Sequence, residues 1–85
     1  MMALRILLAD DEKAFVETLA ERLELRGHTV RVVFDGLAAL SAVAEEMPDV
    51  VVLDLLMPGL PGDEALHRLK AAQPDLPVIL LTGHE

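Results

Sequence analysis

The sequence predicts one α/β domain, a doubly wound parallel sheet with helices on both faces. Three observations lead there. Four short runs are rich in Val, Ile and Leu and have the length of strands. The segments between them repeat their apolar residues at three- and four-residue steps, and Gly, Pro or Asp punctuates the junctions. Strands that alternate with helices of about ten to fifteen residues imply right-handed crossovers and a parallel sheet. With 85 residues the chain has room for one domain, and since only Phe15 and Phe34 are aromatic, its core must be built of Leu, Val, Ile and Ala.

Each element has its own signal. LRILLA (residues 4–9) is apolar after one arginine, suits burial on both faces and stops at Asp10 and Asp11, so it reads as a central strand. From 12 to 26, Phe15, Val16, Leu19, Ala20 and Leu23 recur at helical spacing, the charged residues fall mostly on the other face, and Gly27 supplies a stop. HTVRVVF (28–34) is β-branched and bounded by Gly27 and Asp35-Gly36, a strand partly exposed at Arg31. Leu37, Leu40, Ala44 and Met47 mark a second helix closed by Pro48. DVVVLD (49–54) is a second buried strand. A third helix covers 62–72, with Asp63 and Glu64 where the helix dipole favours acids, and PVILLT (77–82) is the fourth strand.

Composition narrows the function. The absence of cysteine removes disulfides, thiolate metal sites and cysteine nucleophiles, and fits a reducing compartment. No apolar stretch approaches the roughly 20 residues of a membrane span, and the N-terminal run is too short for a signal peptide, so the expected location is the cytoplasm. Acids outnumber bases 15 to 7, for a net charge of −8, which disfavours nucleic acid or anionic lipid and favours cations and basic protein surfaces as partners.

In such sheets, ligands bind at the carboxyl ends of the strands. Those ends carry Asp10 and Asp11 after the first strand, Asp54 at the end of the third, and Thr82 and Gly83 after the fourth. Read singly, Asp10 and Asp11 serve equally well as helix caps, Asp54 as the cap of a turn, and Thr82 as an ordinary strand-end residue. Their joint placement points to a site. Crowded anions repel, and a hard divalent cation with oxygen ligands removes the conflict; magnesium suits the set better than zinc, because no histidine or cysteine stands beside these acids.

Asp10-Asp11 after an apolar strand, Asp54 within VVLDLLMPG, and Thr82 within ILLTGHE together resemble the receiver domain of two-component response regulators, over the entire chain. The resemblance implies a flavodoxin-like strand order of 2-1-3-4-5. It implies that Asp54 accepts a phosphoryl group and that Mg2+ is held by Asp11 directly, by Asp10 through water, by Asp54 and by the backbone carbonyl of Leu56. Thr82 would be the hydroxyl that moves to bond the phosphoryl group, and Met57-Pro58 and Gly62 would shape the loop after the acceptor. The implied partner is a sensor histidine kinase or a phosphotransfer protein, with a small acyl phosphate as an alternative donor. The domain is then a phosphoacceptor rather than an enzyme with turnover. His84, two residues after Thr82, would lie near the phosphoryl group. His28, His67, Lys13, Lys70 and the acids Glu17, Glu21, Glu24, Glu45 and Glu46 read as surface or boundary residues.

The chain departs from the family pattern where it stops. After the fourth strand there is no fourth helix, no fifth strand with its phosphoryl-binding lysine and no fifth helix, so residues 1–85 are expected to be a receiver domain incomplete at its C-terminus, with strand order 2-1-3-4. Pro61 also stands where an acid is common. The fourth strand then becomes a sheet edge of Val78, Ile79, Leu80 and Leu81, a template for pairing with a second copy, and the four-stranded core is not expected to be a stable closed monomer. Two other readings compete. One is a noncatalytic half-domain acting as an interaction or assembly module. The other is a Mg2+-dependent phosphohydrolase, which needs a general acid two residues after its nucleophile, where this chain has Leu56.

Overall fold

In the computed structural model, which describes residues 2–81, four strands form one parallel sheet: β1 (Arg5–Ala9), β2 (Thr29–Val33), β3 (Val50–Asp54) and β4 (Val78–Leu81), in the order β2-β1-β3-β4. Helices α1 (Lys13–Leu25), α2 (Gly36–Glu45) and α3 (Gly62–Ala72) make the crossovers. This is the expected doubly wound arrangement with strand order 2-1-3-4.

Side-chain alternation divides the core between the two faces. Ile6 and Leu8 of β1 meet Val16 and Ala20 of α1, with Val30, Val32, Val50 and Val52 packed around them. Leu7 and Ala9 turn the other way, toward Val51 and Leu53 of β3, Ala39, Ala42 and Val43 of α2, and Ala65 and Leu69 of α3. Because β1 is covered on both faces, its residues from Ile6 to Ala9 are all buried, as a central strand requires.

The termini of the elements follow capping chemistry. Gly27, at φ 95°, takes the left-handed turn after α1; its N–H donates to Glu24 O at 2.9 Å and that of His28 to Leu23 O at 3.2 Å, the paired bonds of a Schellman stop. Asp35 caps α2, its Oδ1 accepting from Ala38 N at 2.8 Å. At the other end α2 stops two residues earlier than its sequence pattern suggests. Glu46 is extended (φ −151°, ψ 116°), and Pro48 disfavours helix in the residue before it, so Met47 lies outside the helix and is exposed. Leu37, on the first turn of α2, is exposed too, and Phe15 of α1 is more exposed than its place in the apolar repeat suggests.

Two residues read as surface have structural partners. His28 is half-buried, and its Nδ1 accepts from the N–H of Leu4 at 3.1 Å, while the Thr29 N–H donates to Leu4 O, so the imidazole continues the β1–β2 ladder by one bond. Lys70 donates from Nζ to the carbonyl of Leu76 at 2.9 Å, closing the turn into β4. Beyond β3, β4 has no further strand beside it among the described residues, and Ile79 and Leu80 are 54% and 41% exposed.

Leu8 is 1% exposed and Ile79 is open on the sheet edge, so their truncations should separate. In urea unfolding, Leu8→Ala is expected to lose about 3 kcal/mol and Ile79→Ala less than about 1 kcal/mol. Equal losses would contradict this division of the core.

Candidate functional site

The parallel register of β1 and β3 brings the site together. Ile6 pairs with Val50 and Ala9 with Leu53, so the next residue of each strand, Asp10 and Asp54, lies one step beyond the last pair at the same end of the sheet. Both carboxylates are buried, each residue 1% exposed, and Asp11 is exposed at the rim. One carboxylate oxygen from each of the three residues lies within 4.8 Å of the others.

Local hydrogen bonds orient the two buried acids. Asp10 keeps its backbone in the sheet through N–H donation to Val33 O at 3.1 Å, and its Oδ1 accepts from Glu12 N at 2.9 Å, which supports the entry to α1. Asp54 Oδ1 accepts from Leu56 N at 3.0 Å, the short-range pattern by which an aspartate caps a turn. The turn-capping role of Asp54 is therefore real and coexists with a site, whereas Asp10 bonds the N–H of Glu12, the residue at the N-cap of α1, rather than an amide within the helix. Lys13, on the first turn of α1, places Nζ 5.1 Å from the centre of the Phe34 ring, a cation–π contact on the residue that follows β2.

The expected residues divide into three groups. Asp10, Asp11 and Asp54 are brought together. Leu56 lies in the adjoining loop with its side chain exposed, and the contact it makes with the cluster is through its amide, which sequence reasoning missed although an aspartate two residues before a turn amide is a recognisable signal. Thr82, Gly83 and His84 lie outside the described residues; Leu81, just before them, is paired with Asp54.

The donor set fits a hard cation. Three carboxylates with no imidazole or thiolate among them offer the oxygen ligands that suit Mg2+ or Ca2+ and do not suit zinc. Without a cation, three negative charges repel one another at close range.

The sequence and structure were compared with known proteins. A family model described as the response regulator receiver domain matches residues 6–85. Response regulator MprA of Mycobacterium ulcerans is 40% identical over 84 residues, which cover 99% of this chain and 36% of that protein, and MprA of Mycobacterium tuberculosis is 39% identical over the same length. The chain thus spans about a third of the length of these curated relatives. Among solved structures, NtrX from Brucella abortus matches with a TM-score of 0.92 at 38% identity, covering 98% of this chain and 20% of that one. The receiver domain of the same protein matches with a TM-score of 0.87 at 37% identity, covering 93% and 68%.

If the three carboxylates repel as their spacing implies, removing one charge stabilises the metal-free fold. Asp54→Asn retains an oxygen for the Leu56 amide and is expected to raise the melting temperature by about 5 °C at low salt, a gap that narrows when a divalent cation is added. A lower melting temperature would contradict net repulsion in the cluster.

Proposed function

The chain belongs to the response regulator receiver domain family, and from that premise we propose that Asp54 is its phosphoacceptor, charged by a sensor histidine kinase, a phosphotransfer protein or a small acyl phosphate. The observation that carries this reading is the clustering of Asp10, Asp11 and Asp54 at the carboxyl edge of the sheet, with Asp54 held by the Leu56 amide. In the transfer, a carboxylate oxygen of Asp54 attacks phosphorus. The bond from phosphorus to the donor nitrogen or oxygen breaks with its electrons leaving on the donor, and an aspartyl phosphate results. A carboxylate is a weak nucleophile, so the protein's contribution is positioning and charge compensation.

Asp11, Asp54 and the Leu56 carbonyl would hold Mg2+, with Asp10 acting through water. Bound there, the ion would supply the positive charge that offsets the equatorial oxygens of the phosphoryl group. The chain's own residues do the rest. The Leu56 N–H keeps one oxygen of Asp54 oriented, and the near-complete burial of Asp54 limits access of bulk water; Thr82, outside the described residues, would supply a hydroxyl to the phosphoryl group once it has arrived. The side chain of Leu56, two residues after Asp54, has no proton to give, which supports a stable acceptor over a phosphohydrolase.

In this reading residues 1–85 belong to one receiver module of a two-component system that accepts the group once per signal and relays it as a conformational change, rather than turning over substrate. The net charge of −8 supports a protein partner over direct contact with nucleic acid, and the absence of cysteine supports a cytoplasmic setting. Among the described residues no helix is long and apolar enough to cross a membrane.

Two measurements test the proposal. Incubation with an acyl phosphate and Mg2+, followed by peptide mass spectrometry, is expected to place the label on Asp54, and a label on another residue would overturn the assignment. In a calorimetric titration, Asp11→Ala and Asp54→Ala should each weaken Mg2+ binding at least about tenfold; unchanged affinity in both would remove the proposed ligand set.

A further inference from the structure

Gly62 opens α3 and packs against the residue that follows Asp54. A Cβ at this position would stand 2.6 Å from the carbonyl oxygen and 2.7 Å from the carbonyl carbon of Leu55, with the Leu55 Cα closer still. All three are backbone atoms, so no side-chain rotation relieves the overlap. Moving the carbonyl oxygen from 2.6 Å to the 3.4 Å of ordinary contact already takes about 0.8 Å between the start of α3 and Leu55, and the closer Cα requires more. Conformational freedom does not account for the glycine, because among the described residues the positive φ angles belong to Gly27 and Gly59. Alanine is the better helix former, so the close approach is what requires glycine here.

The atoms that Gly62 touches lie in the same planar unit as the hydrogen bond on the acceptor. The Leu55 carbonyl and the Leu56 N–H form one rigid peptide group. That N–H donates to Asp54 Oδ1 at 3.0 Å. On its other side Leu55 is tied to the sheet, its own N–H donating to Leu81 O at 3.3 Å. A displacement of the Leu55 carbonyl therefore tilts the Leu56 N–H off the carboxylate instead of being absorbed elsewhere.

We propose that Gly62 is a positioning residue for Asp54. By leaving room for α3 to seat directly on the Leu55–Leu56 peptide, it holds the amide that orients the acceptor oxygen. The functional consequence rests on the reading of Asp54 as the phosphoacceptor; the geometric one does not.

The test is a graded series. In Gly62→Ala the Cβ meets the peptide directly. In Gly36→Ala it meets Leu60 O at 3.1 Å, Leu60 Cβ at 3.2 Å and Ala65 Cβ at 3.4 Å, a milder push on the far end of the same loop and the start of α3. Leu69→Ala destabilises α3 from the core about two turns beyond Gly62 and leaves the Gly62–Leu55 contact intact. Labelling of Asp54 by an acyl phosphate, scaled to the folded fraction, is expected to slow about tenfold or more in Gly62→Ala and about two- to threefold in Gly36→Ala, and to stay within about twofold in Leu69→Ala. The Leu56 amide proton resonance should move upfield in the same order and remain at the wild-type position in Leu69→Ala. A folded Gly62→Ala chain with the wild-type Leu56 resonance, or a rate no lower than that of Leu69→Ala, would overturn the proposal. Should Gly62→Ala not fold, the Leu56 resonance of Gly36→Ala decides, moved in support or unmoved against. Should the wild-type chain take no label on Asp54, the phosphoacceptor reading fails while the Leu56 resonance still decides the positioning role.

Discussion

Asp10 and Asp54 end adjacent parallel strands with their carboxylates close together and almost no access to water, and much of the structure exists to keep them there. Each ionised carboxylate taken from water forfeits several kcal/mol of hydration, and the two repel. Backbone amides supply the local compensation. Glu12 N–H and Leu56 N–H each donate to one of the acids, and hydrogen bonds to charged groups contribute about 1.5–3 kcal/mol apiece. Both donors lie two residues downstream of the acid they serve. The turns after β1 and β3 are thus the means by which the carboxylates are made tolerable, as well as connections.

The apolar core offsets what the site destabilises. Leu8 and Leu53 sit on the strands that carry the acids, each at most 1% exposed, and burial of a side chain of this size contributes about 1.5–3 kcal/mol. The sheet faces are covered unequally. Among the described residues, two helices close the face of Leu7, Ala9, Val51 and Leu53, while one, α1, covers that of Ile6 and Leu8, where Val50 and Val52 are only partly buried. That of Leu7 and Ala9 also holds Met57, so the loop after Asp54 is anchored in its packing.

Charge is segregated by end. At the carboxyl edge the acids converge. At the opposite edge Arg5 pairs with Glu46 at 2.8 Å and Arg31 with Glu45 at 2.7 Å, while Asp49 Oδ2 accepts from the backbone N–H of Arg5 at 2.7 Å, so Glu45 and Glu46 are matched by guanidinium groups and Asp49 by a main-chain amide. Exposed pairs of this kind contribute little to stability.

Much of this was legible in the sequence because it is local. Apolar period separates strands from helices, Gly27 and Asp35 announce their stops and starts, and in a parallel sheet every strand delivers its last residue to the same edge, so Asp10, Asp11 and Asp54 could be placed together from the pattern alone. Element ends were less legible: Met47 fits the helical repeat of α2, but the extended backbone at Glu46 ends the helix before it. Exposure of Phe15 and Leu37 was hidden for a related reason, since periodicity marks a face without saying whether another element covers it. What only the tertiary structure decided were contacts between backbones distant in sequence. The seating of Gly62 on the Leu55 peptide and the tie of Leu55 to Leu81 depend on how α3 and β4 pack around one loop. A glycine in the sequence shows that a side chain is absent, and only the folded chain shows which atoms occupy its place.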